Sequence, residues 1–153
     1  MKRTVLISVI LVLATLTLSA GTPAEELVDK YKDVKKARNL VAKGSLIKMA
    51  RPLMKDYQIA PLAHKVEELS VLRMDRVSPE IRDEFIREMR IALSRYVYAG
   101  QSDTPNGVVD AYVHLASDNT ADELVVYNPE IYAIYSLSGI FTAEELLSIQ
   151  KKP

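Results

Sequence analysis

Apolar and polar positions divide this chain into a greasy leader and a mixed remainder. After Met1, Lys2 and Arg3, the run Thr4 to Leu18 carries no charge and is mostly Val, Leu and Ile, with small Ser19, Ala20 and Gly21 behind it. A basic start, an apolar run and a small-residue exit form the order of a secretory signal peptide. We expect residues 1–20 to be a cleaved signal peptide, cut after Ala20 or after Gly21, and residues 21–153 to form a single domain. The apolar run is shorter than the roughly 20 residues a spanning helix needs, so no stable membrane anchor is expected after cleavage.

Past the leader, helical and strand periods alternate. Thr22-Pro23-Ala24-Glu25 is a capping box with proline in the first turn, and Leu27, Val28 and Tyr31 follow as one stripe that fades near Asp33. Val34 to Ala42 reads two ways: Lys35, Lys36 and Arg38 suit a solvated loop, Leu40 and Val41 a short strand. Leu46, Ile47, Met49, Ala50, Leu53 and Met54 read as a helix weakened by Pro52, and Ile59-Ala60-Pro61 as a break. Val66 to Met74 is a strand with imperfect alternation. Ser78 and Pro79 then open the clearest element. Ile81, Phe85, Met89, Leu93 and Tyr96, with Ala92 beside them, predict one apolar face of a helix of about 18 residues.

Turn residues punctuate the C-terminal half. Tyr96-Val97-Tyr98 leads to the cluster Asp103-Thr104-Pro105-Asn106-Gly107. Val109, Ala111, Val113 and Leu115 alternate with Asp110, Tyr112 and His114, which predicts a dry and a wet strand face. Strands are expected over Leu124 to Tyr127 and Ile131 to Leu137. Thr142-Ala143-Glu144-Glu145 opens a last helix with Leu146, Leu147 and Ile149. Strands joined by short turns pair antiparallel, and a one-sided helix needs a sheet face to bury its stripe. The expected fold is α+β: a two-layer sandwich with an antiparallel sheet of about four to six strands and a long amphipathic helix packed on one face.

The run Gly107 to Leu115, then Glu123-Leu124-Val125-Val126, Ile134 to Ile140 and Thr142-Ala143-Glu144-Glu145-Leu146, resembles the C-terminal half of the domain of unknown function 4252 family. These are small exported bacterial proteins, common in Bacteroides-like bacteria. The capped helix before Tyr31, the stretch Ser45 to Met54 and the strand Glu68 to Met74 extend the resemblance over nearly all of the mature chain, by pattern rather than by a diagnostic motif. The resemblance implies an exported location and this type of fold, and no catalytic residue. Many members carry a lipoprotein cysteine after the signal. Gly21-Thr22 stands there in this chain, so a free periplasmic or extracellular domain is expected, with an interaction or regulatory role in the envelope.

Composition narrows the chemistry. The chain has no cysteine, which excludes disulfides, thiolate metal sites and cysteine nucleophiles. Loss of Lys2 and Arg3 takes the 20 basic residues to 18 against 20 acidic ones, with no basic stripe to attract nucleic acid. His64 and His114 are the only histidines. An Asp110–His114 pair would suit a base or zinc, but four positions on a strand separate them by about 13 Å. Ser136-Leu137-Ser138-Gly139 lacks the first glycine of a nucleophile elbow. Glu25, Glu26, Glu144 and Glu145 sit in first turns, where the helix dipole favours them. No catalytic residue, metal ligand or cofactor is assigned.

Eight tyrosines, two phenylalanines and no tryptophan make the aromatic set unusual. Tyr96, Tyr98, Tyr112, Tyr127, Tyr132 and Tyr135 all fall in the sheet half. Cross-strand packing accounts for such residues, but tyrosine also suits recognition surfaces. We therefore expect Tyr96, Tyr98, Tyr112 and His114 to be the candidate binding residues of a noncatalytic module, with an envelope protein or peptide as partner. The alternative is a periplasmic hydrolase or metal-dependent enzyme centred on His114. It requires Asp110, Asp118 or Glu123 to converge on that ring beside a pocket. Oligomeric state is not legible.

Overall fold

A computed structural model describes residues 21–52 and 60–150. The expected leader lies outside the described residues, as do Leu53 and Met54 of the second expected helix. The first helix, α1 (Pro23–Tyr31), starts where the capping box places it. The Thr22 hydroxyl accepts from the Glu25 amide at 3.4 Å, and the Glu25 carboxylate accepts in turn from the Thr22 amide. The ambiguous segment resolves into a loop over residues 32–37 and a strand, β1 (Arg38–Lys43). A short helix α2 (Ser45–Ala50) and a 3-10 helix (Ala60–Lys65) lead to β2 (Val66–Arg73).

The helix after Ser78, α3 (Pro79–Leu93), has 15 residues, and Ser78 makes no side-chain capping bond. Phe85, Met89 and Leu93 are buried as their spacing predicts. Tyr96, expected at the end of that stripe, instead lies beyond the helix. Ser94 turns its hydroxyl back to the Ile91 carbonyl at 2.6 Å, and the strand formers Val97 and Tyr98 start β3 (Val97–Thr104). The meander continues through β4 (Gly107–Leu115), β5 (Thr120–Asn128) and β6 (Ala133–Thr142), and α4 (Ala143–Gln150) comes last. Gly107, at φ 118, supplies the left-handed residue that the Pro105-Asn106 turn needs. At α4, Thr142 and Glu145 exchange amide bonds of 2.9 and 3.3 Å, a second capping box.

The protein is α+β, with a six-stranded, open, fully antiparallel sheet ordered β1-β2-β6-β5-β4-β3 among the described residues. Two expectations about its strands are corrected. β6 does not stop at Leu137 but runs to Thr142. Its small residues are there to fit neighbours: a Cβ on Gly139 would sit 2.4 Å from the Lys65 carbonyl oxygen. Leu115, assigned to the dry face of β4, is 50% exposed, because the register shifts between His114 and Leu115 and carries it to the sheet's end.

Apolar residues gather in two clusters. One joins Leu27, Val28 and Tyr31 of α1 and Phe85, Met89 and Leu93 of α3 to Leu72, Val125, Tyr127 and Ile134 of the sheet. The other joins Leu124, Leu137 and Val113 to Ile47, Leu62, Val66 and Phe141. Val125 and Leu124 are neighbours on one strand, so the clusters lie on opposite faces. The helices are short, and the expectation of one dry face under one long helix gives way to burial on both. The physical reason is that β5 is apolar at both parities, through Leu124, Val125, Val126 and Tyr127. Across α1 and α3, Tyr31 meets Phe85 edge to face at 5.3 Å, and its hydroxyl donates to Glu88 at 2.6 Å.

Candidate functional site

The four residues expected to bind a partner, Tyr96, Tyr98, Tyr112 and His114, come together at one side of the sheet, but not as equals. Tyr98 and Tyr112 are direct cross-strand partners on β3 and β4, with ring centroids 5.3 Å apart. Tyr98 is 53% exposed, and its hydroxyl donates to Asp110 at 3.0 Å. Tyr112 is half-buried against the α1–α3 core. β3 is one of the two outermost strands, with no strand beyond it among the described residues, and Val97 is exposed beside Tyr98.

Tyr96 is buried and belongs to the interior. Its hydroxyl accepts from the Ala24 amide at 3.1 Å and donates to Glu123. Glu123 is wholly buried, on the face that also carries Val125. Two further hydroxyls reach its carboxylate: Thr22 at 2.8 Å, and Ser136. Three O–H donors thus satisfy one buried carboxylate, as a charge in such surroundings requires. Burial, then the charge of Glu123, push the Tyr96 hydroxyl far above the usual phenol range, so it stays a donor. Glu25 lies close by and accepts from Ser138 at 3.4 Å. Burial first, then the charges of Glu123 and Glu68, raise its carboxyl above the usual range. The network fastens the start of α1 to the sheet across 101 positions of sequence.

His114 is half-buried. Its ring lies 5.1 Å from that of Tyr96, and its Nδ1 is 2.6 Å from Asp122. None of the carboxylates expected to meet it does so. Asp110 is taken by Tyr98, Asp118 lies exposed in the β4–β5 turn, and Glu123, although directly across from His114, is held by its three hydroxyls. Regular alternation would put Asp122 on the other face from Glu123. The register shifts on both sides of it, between His114 and Leu115 and between Ala121 and Glu123, turn it toward the imidazole. Period-2 reading passes over such a residue. Glu123 did leave a sequence signal, a charge in phase with Val125 and Tyr127.

His64 is exposed on the 3-10 helix. Among the described residues, no group of three or more His, Asp or Glu side chains is placed to hold a metal ion, and no helix is long and apolar enough to cross a membrane. Comparisons with protein-family models, with curated proteins and with solved structures found no match to this chain.

Proposed function

We propose that this chain is an exported, noncatalytic interaction module of the bacterial envelope, periplasmic or extracellular, that meets a protein or peptide along β3. The observation that carries this reading is the pairing of Tyr98, more than half exposed on the outer strand β3, with Tyr112 on the neighbouring β4. An outer strand can take an added strand beside it, and the rings on it offer side-chain specificity. The reading includes removal of residues 1–20, membership of the domain of unknown function 4252 family, and no use of nucleic acid, cofactor or membrane anchor. It also takes α3, with α1, as the amphipathic layer over one sheet face. The cluster shared by Phe85, Met89, Val125 and Ile134 supports that arrangement.

Capture from envelope extract should give a defined partner with the wild-type protein and lose it when Tyr98 and Tyr112 are both replaced by serine. Identical capture by both proteins ends the proposal. Mass measurement of the protein recovered from cells should give a chain beginning at Gly21 or Thr22. The rival reading, a periplasmic hydrolase or metal-dependent enzyme centred on His114, is favoured by the 2.6 Å contact with Asp122. A hydrolytic activity abolished in His114→Ala would establish it in place of the first.

A further inference from the structure

At the far end of β1 and β2, the loop over residues 32–37 and the turn over residues 74–78 enclose an open cleft of about 540 Å³ lined by Lys36, Ala37, Arg38 and Arg76. Among the described residues, three of the four that line it are cationic and none is acidic. The chain as a whole carries equal numbers of basic and acidic residues, so this concentration is local. We propose that the cleft binds a phosphate group, free or carried as an ester.

Four observations carry the proposal. The carboxylate bound by Arg38 is Asp75, and it is shared. Arg38 Nη2 reaches its two oxygens at 2.8 and 3.0 Å, and Arg73 donates from Nε and Nη2 at 3.1 Å each. One negative charge thus serves two guanidinium groups. Next, Arg38 Nε is closed off from water without a hydrogen-bond partner, so Asp75, bound through Nη2, leaves this guanidinium incompletely satisfied. Third, Lys36 and Arg76 are exposed and make no hydrogen bond or ion pair among the described residues. Last, Lys36 has φ 70, a left-handed conformation that glycine adopts freely and lysine only at a cost. Strain held at a position where glycine would relieve it suggests that the ammonium is needed there. Two guanidinium groups and an ammonium around one cleft match the several oxygens of a phosphate, which arginine binds through paired donors. The volume leaves room for the group that carries it. This site stands apart from the β3 edge and does not rest on the function proposed above.

Calorimetric titration of the purified protein with inorganic pyrophosphate, and sedimentation with phosphatidylcholine vesicles with and without phosphatidylglycerol, separate a soluble phosphate from a lipid headgroup. Saturable binding is expected in at least one arm. The double variant Lys36→Ala, Arg76→Ala should weaken it about tenfold or more, as loss of charge-assisted bonds does. Lys35→Ala removes the same charge from outside the cleft and should leave affinity within about twofold. Lys36→Gly should raise the melting temperature yet weaken binding, separating strain from recognition. Absence of saturable binding in both arms overturns the proposal. So does an equal loss in Lys35→Ala, or full affinity in Lys36→Gly.

Discussion

Removing one oxygen from Tyr96 should cost far more than removing one from Tyr98. In Tyr96→Phe the ring stays, but the buried Glu123 carboxylate loses a donor and the Ala24 amide loses its acceptor. A hydrogen bond to a buried charge contributes about 1.5–3 kcal/mol, and the stranded amide adds about 1 kcal/mol. The total is about 2.5–4 kcal/mol. For a chain of this size each kcal/mol moves the melting temperature by about 3–5 °C, so Tyr96→Phe should melt roughly 8–20 °C lower. Tyr98→Phe loses only an exposed bond to Asp110 and should stay within about 0.5 kcal/mol of wild type. Thermal denaturation monitored by circular dichroism compares the two on one instrument. Melting temperatures within about 2 °C of each other would refute the account of Glu123 as a buried charge that depends on its hydroxyls.

Three other predictions concern the core and the carboxylates. Phe85→Ala and Met89→Ala should each lose about 2–5 kcal/mol in urea unfolding, whereas Ile91→Ala, on the exposed side of α3, should lose under about 0.5 kcal/mol. The Glu25 carboxyl is raised, so in the folded protein its ionisation costs stability as pH climbs through the folded value. Glu25→Gln should therefore gain stability relative to wild type near about pH 7, and lose that advantage near about pH 4. Glu145 behaves oppositely. Lys65 first, then the Thr142 amide, lower its carboxyl to about 2, so its contribution is present above the ordinary value and fades as pH falls toward about 2. Lys65→Met should flatten that part of the acid-unfolding curve.

The meander and the helix starts were legible because they depend on local rules. Thr22 and Thr142 cap as capping boxes do, and the turns near Gly107 and Asn128 fall where their residues require. What local rules missed are the places where a distant neighbour decides. Tyr96 leaves the helical stripe it fits because its hydroxyl has partners at Ala24 and Glu123. Ser136 looks like a strand end, yet it is an interior position that feeds the same carboxylate. Asp122 reaches His114 only through shifts of register that alternation does not foresee. At the candidate site, Tyr98 and Tyr112 were legible as strand tyrosines, but their direct pairing depends on the register between β3 and β4. Tyr96 could not be told from them, because its burial depends on α1, whose first turn lies over 70 positions earlier in the chain.

The order of the sheet has a consequence for how this molecule can be made. β6 is the last of the six strands in sequence but lies between β2 and β5. Without it the other strands fall into two unjoined sets, the β1–β2 pair and the β3–β4–β5 ribbon, and each lacks the strand that links it to the other. The sheet therefore cannot be completed during synthesis until residues 133–142 are free to enter between β2 and β5.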